Sequence, residues 1–124
     1  MHAVCETPAF TAAAHAAGMS RLEVEDLTDF LAANPEAGDE LAGTGGCRKL
    51  RVAGRGKGKS GGYRVVTFYT GPRLPVFLIT VFGKGEKSNL SKAECNGLAK
   101  MTAILAAEYR KKVVSVSKVS EAKR

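Results

Sequence analysis

Basic side chains crowd the middle of this 124-residue chain. Lys49 and Arg51 stand two positions apart, and Arg64 lies in the next β-forming run. Arg55, Lys57 and Lys59 fill the glycine-rich stretch between them. Such a set is suited to gripping a nucleic-acid backbone. It also permits chemistry on RNA, which carries its own nucleophile, the 2′-hydroxyl beside each phosphate. Cleavage needs the 2′-oxygen deprotonated, the charge on the pentavalent phosphate neutralised and the 5′-oxygen protonated. A lysine among other cations has a lowered pKa and can act as base, while an arginine stabilises the equatorial oxygens. The sequence permits this chemistry without demanding it.

Other catalytic groups are scarce. No serine sits in a nucleophile-elbow pattern, and no carboxylate pair lies beside the basic runs. His2 and His15 both fall near the start. Cys5, Cys47 and Cys95 are three and widely spaced, which is neither a disulfide framework nor a zinc site. No metal ligand set and no cofactor motif emerges. The stretch Gly54-Arg55-Gly56-Lys57-Gly58-Lys59-Ser60 almost spells a phosphate-binding P-loop. That motif must open a helix, whose N-terminus supplies aligned amides. Here Gly61-Gly62 leads into a β-branched, aromatic run, so nucleotide hydrolysis is disfavoured.

Charge divides the chain unequally. Residues 1–46 hold eight acids and one base, whereas residues 47–124 hold 18 bases and four acids, within a net charge of +7. A split this lopsided points to a polyanion met by one face. The 44% hydrophobic content excludes a wholly disordered chain, and no apolar run approaches the ~18 residues of a membrane span. The start has no continuous apolar core of a signal peptide, so the expected compartment is the cytoplasm.

The elements that must position these cations follow from periodicity. Residues 3–10 read as a short edge strand interrupted by Pro8, and residues 11–17 as a short helix stopped by Gly18. Ser20-Arg21-Leu22-Glu23 is a capping box, and Val24, Leu27, Phe30 and Leu31 recur at helical spacing up to Asn34-Pro35. Residues 36–46 form a turn-rich connection. Residues 47–53 alternate, with Arg48, Leu50 and Val52 on one face and Cys47, Lys49, Arg51 and Ala53 on the other. Residues 63–70 put Arg64, Val66 and Phe68 on one face, and residues 75–82 are apolar on both. A second capping box, Ser91 to Glu94, opens a final helix with Leu98, Met101, Leu105 and Tyr109 as its stripe. The order β-α-α-β-β-β-α predicts an α+β fold, an antiparallel-rich sheet with helices packed on one face. One domain over residues 1–110 and a mobile basic tail over 111–124 complete the expectation.

At these residues the chain resembles the RelE/ParE superfamily of bacterial toxins, and especially the HigB branch of the RelE-like toxins. The resembling text runs from Gly43-Thr44-Gly45-Gly46-Cys47-Arg48-Lys49-Leu50-Arg51 through Gly58-Lys59-Ser60-Gly61-Gly62-Tyr63-Arg64-Val65-Val66 to Val76-Phe77-Leu78-Ile79-Thr80-Val81-Phe82-Gly83-Lys84-Gly85-Glu86-Lys87. It covers roughly residues 4–110, with the motifs concentrated in 43–91. What the resemblance implies is the toxin of a type II toxin–antitoxin pair. Such toxins enter the ribosome and cut mRNA through its 2′-hydroxyl, without a metal, and an antitoxin silences them.

Carried over by position, the catalytic set is Lys49, Arg51, Arg64 and Lys84, with Arg64 on the phosphate-stabilising arginine. Arg48, Arg55, Lys57, Lys59, Tyr63 and Lys87 fall on RNA- or ribosome-contacting positions. Gly85 stands where some RelE toxins carry an arginine, and Leu90 or Ser91 where they carry a tyrosine, which shifts those roles to Lys84 and Lys87. The implied partners are the ribosome, mRNA and a helix-turn-helix, HigA-like antitoxin. Two alternatives stay open: a ParE-like toxin that inhibits DNA gyrase without cutting RNA, and a catalytically degenerate nucleic-acid-binding module.

Overall fold

A computed structural model of the chain describes residues 2–54, 62–83 and 90–122, with side chains up to Arg110. Its element order is β1 (Val4–Glu6), α1 (Pro8–Ala16), α2 (Arg21–Ala33), β2 (Asp39–Glu40), β3 (Cys47–Val52), β4 (Tyr63–Phe68), β5 (Val76–Phe82) and α3 (Lys92–Ala122). The expected α+β class is what forms. The strands make one sheet in the order β1-β5-β4-β3-β2, antiparallel except where β1 pairs with β5.

Pro8 does not interrupt a strand. It opens α1, because Thr7 takes the N-cap and its Oγ1 accepts from the Phe10 amide at 3.2 Å. A proline at the first helical position loses no hydrogen bond. The Thr7 hydroxyl also donates to the Leu78 carbonyl at 2.6 Å, tying the cap to β5. Both capping boxes are made. Ser20 and Glu23 exchange bonds of 2.8 and 3.2 Å, and Ser91 and Glu94 bonds of 2.9 and 3.1 Å.

Helices cover both faces of the sheet rather than one. Phe10, Leu27 and Leu31 of α1 and α2 pack on Tyr63, Val65, Val76 and Leu78. Leu98, Leu105, Ala106 and Tyr109 of α3 pack on Cys47, Val66, Phe68, Phe77 and Ile79. The reason is the two-sided apolarity of β5, which one helical layer would leave half wet. Beneath α3 the loop before β3 is pinned by its own hydroxyls. The buried Thr44 donates to the Leu41 carbonyl at 2.6 Å and accepts from the Cys47 amide at 3.1 Å. Gly46 closes this loop at φ +135°, where an added Cβ would meet Thr70 Cγ2 at 2.9 Å.

α3 also runs on through the expected tail, to Ala122. After Gly97 no glycine or proline intervenes up to that point, and the serines and valines present lower helix propensity by only a few tenths of a kcal/mol each, about 0.5 on common scales. No helix among the described residues is long and apolar enough to cross a membrane.

Candidate functional site

Sheet register decides which cations share a surface. Across β3, β4 and β5, Arg51 stands opposite Arg64, and Arg64 opposite Phe82. One row inward, Lys49 stands opposite Val66, and Val66 opposite Thr80. Side chains alternate between faces, so Lys49, Arg51 and Arg64 lie on the α3 side with Cys47, Val66 and Phe68. α3 seals the Phe68–Phe77 end of that face. Tyr109 stands edge-on to Phe77, with centroids 5.9 Å apart. The three cations occupy the rest, with Arg51 exposed and Lys49 and Arg64 half-buried.

The Arg51–Arg64 pair matters most. Leu50 and Val52 direct their backbone groups toward β4, which leaves Arg51 and Arg64 at a site without ladder bonds, where opposed side chains come closest. Like charges placed so oppose folding. Neither arginine forms an ion pair with another described residue. An anion between the two guanidiniums removes that repulsion, which is what a phosphate supplies.

The other expected residues separate. Arg48 points to the opposite face, where Nη2 pairs with Glu40 at 3.0 Å and the side chain is only 16% exposed. Tyr63 is buried in the α1–α2 core. Its hydroxyl donates to Glu23 Oε1 at 3.2 Å, which removes its ring from the surface. Burial, then the Glu23 charge, pushes the Tyr63 pKa up. Both residues were expected among the RNA contacts, and alternation along β3 and β4 carries both away from Lys49, Arg51 and Arg64. Arg55, Lys57, Lys59, Lys84 and Lys87 lie outside the described residues. In sequence the first three lie between Val52 and Tyr63 and the last two follow Phe82, and the pairs Val52–Tyr63 and Arg64–Phe82 put these strand ends at one end of the sheet. That end carries Arg51 and Arg64. Among the described residues no helix follows the glycine-rich stretch, and the chain enters β4 at Tyr63.

Sequence reading missed two features. One is the Tyr63–Glu23 bond, hidden because Glu23 was already engaged as a cap. The other is Phe30, a member of the α2 stripe that remains 47% exposed. Its place at the margin of that stripe was the available signal. Among the described residues no group of His, Cys, Asp and Glu is placed to hold a metal ion.

Fold and site together define a small α+β protein with a cationic half-face on a five-stranded sheet. A family model described as the RelE toxin of the RelE/RelB toxin–antitoxin system matches residues 11–122. The chain belongs to the RelE toxin family. It is therefore the toxin component of a toxin–antitoxin system, whose toxins pair with an antitoxin and are generally endoribonucleases.

Proposed function

We propose that this toxin is a ribosome-dependent mRNA endoribonuclease of the HigB-like kind, acting in the cytoplasm and silenced by a helix-turn-helix antitoxin. The observation that carries the reading is the register pair Arg51–Arg64, with Lys49 on the same face. Arg64 stabilises the equatorial oxygens of the phosphorane. A lysine of this cationic set takes the 2′-hydroxyl proton as the 2′-oxygen bonds to phosphorus, and Lys49 and Arg51 hold the neighbouring phosphate. Lys84, carried over from the resemblance, is the residue that gives a proton to the 5′-oxygen as its bond to phosphorus breaks. Arg55, Lys57, Lys59 and Lys87 add contacts to the RNA backbone. Every step acts on phosphate and ribose, so the ribosome supplies the register in which mRNA is cut.

Primer extension on mRNA after induced expression tests the reading. Cuts in phase with codons, absent when translation is blocked, are the expected result. A DNA-damage response without cuts would assign the protein to gyrase inhibition. Growth arrest with neither would leave a binding module.

A further inference from the structure

We propose that the outer face of α3 is a self-association surface, on which a second copy of the chain packs antiparallel about Ile104. The inference draws on the helix alone and does not depend on RNA cleavage.

α3 turns one face to the sheet, through Leu98, Leu105, Ala106 and Tyr109, with Thr102 buried between them. Away from the sheet, Gly97, Met101, Ile104 and Glu108 recur at helical spacing with Lys100 alongside, and all five are exposed. Ile104 is 65% and Met101 40% exposed, two of the four large apolar side chains left open among the described residues. Gly97 adds bare backbone one turn before Met101, and nothing stands within 4 Å of where its Cβ would be. A glycine inside a helix costs about 1 kcal/mol against alanine, and no described neighbour in this fold requires it.

The order of residues about Ile104 selects the occupant. Lys100 precedes it by four positions and Glu108 follows it by four. Met101 precedes it by three and Ala107 follows it by three. In an antiparallel two-fold pair centred on Ile104, positions equally far on either side meet. Each Lys100 then faces the other copy's Glu108, and each Met101 covers the other copy's Ala107. The two Ile104 side chains meet on the axis. A parallel pair would instead oppose Lys100 to Lys100 and Glu108 to Glu108. Neither Lys100 nor Glu108 forms an ion pair with another described residue, so both are available. An RNA backbone gains little on a seam whose lysine and glutamate cancel. A foreign partner needs only to match this face, whereas a face that matches itself meets the condition for a closed pair. A seam of about three turns falls short of the ~1,200 Å² of a standard interface, so the pair is weak and reversible.

Sedimentation velocity of the full chain tests this, free of antitoxin and in reducing buffer so that the exposed Cys5 forms no crosslink. The chain should sediment as a monomer at about 10 µM and mostly as a dimer at about 1 mM. Lys100→Glu and Glu108→Lys each bring like charges together twice in the pair, so each should weaken it roughly tenfold. The double exchange should return the affinity to within about threefold of the parent. Ile104→Ser should weaken the pair by at least as much as either single exchange. Far-UV circular dichroism should match the parent for every variant, since all three positions are exposed. A chain still monomeric at about 1 mM overturns the proposal. So does a double exchange no tighter than the single ones, or a dimer indifferent to Ile104→Ser. If the single exchanges leave sedimentation unchanged and weaken antitoxin binding instead, the face belongs to the antitoxin and the proposal fails equally.

Discussion

The two faces of one sheet are built from the same strands and end differently. Toward α1 and α2, Tyr63, Val65, Val76 and Leu78 meet Phe10, Leu27 and Leu31, and the Tyr63 hydroxyl finds Glu23. Toward α3, Val66, Phe68, Phe77 and Ile79 are sealed, and Lys49, Arg51 and Arg64 lie beyond that seal. Period-two alternation lets each strand serve both faces at once. Stability is therefore concentrated where helices close the sheet, and the cationic rows can change without emptying a core.

The largest effect should come from Arg64. Arg64→Ala removes one of two opposed guanidiniums, and loss of a preorganised transition-state donor typically slows a reaction ~100- to 1000-fold. Stability should move by less than about 0.5 kcal/mol, since no described ion pair is lost. Codon-phased cutting at an undiminished rate would place the chemistry elsewhere. Next comes a matched pair of core truncations. Leu31→Ala, fully buried on the inner side of α2, should cost about 2–5 kcal/mol in urea denaturation. Leu105→Ala, half-buried on α3, should cost about 1 kcal/mol. Equal costs would erase the inequality between the faces.

Much of this was legible in the residues. Both capping boxes, the α2 stripe, the three long strands and the shared phase of Lys49 and Arg51 follow from local spacing, whereas Arg64 joins them only through the β3–β4 register. Local spacing could not show that β1 joins β5 in parallel, since that pairing spans some seventy positions, as in Val4 with Val76. Nor could it decide whether Pro8 breaks a strand or starts a helix, which depends on the Thr7 cap. Arg48 and Tyr63 were misplaced because family text aligns positions, whereas alternation assigns faces. The two-residue β2 carries no pattern of its own and exists only because Asp39 and Glu40 meet Lys49 and Arg48.

A smaller effect reads the α3 side by titration. Burial raises the Cys47 thiol from its ordinary 9.0 to about 11, Cys95 adds to the rise, and the Thr44 hydrogen bond opposes it. The unfolded chain then gives up this proton first. Stability from Cys47 is complete below pH 9 and is lost as pH climbs toward 11. Replacing it with alanine should flatten the fall in denaturation midpoint over that window. The Tyr63 hydroxyl is also raised, so the difference between the two proteins isolates the thiol. An unchanged slope would mean that water reaches Cys47 and that α3 seals its end poorly.

The smallest effect is the one most able to break the contrast. Arg48 sits on the α1–α2 side, held by a Glu40 that is itself 77% exposed. Among the described residues its Nη1 is buried without a partner, as is the Oγ1 of Thr67, the residue paired with it across the ladder. A desolvated guanidinium with one wet partner gains little, so Arg48→Met should be neutral or stabilise by up to about 1 kcal/mol. Cutting of mRNA should not change, although Arg48 adjoins Lys49 in sequence. If Arg48→Met slows cutting as Arg64→Ala does, the arginine must leave Glu40 and reach RNA. The two faces would then share the substrate, and alternation would no longer separate the residues that hold the fold from those that hold the phosphate.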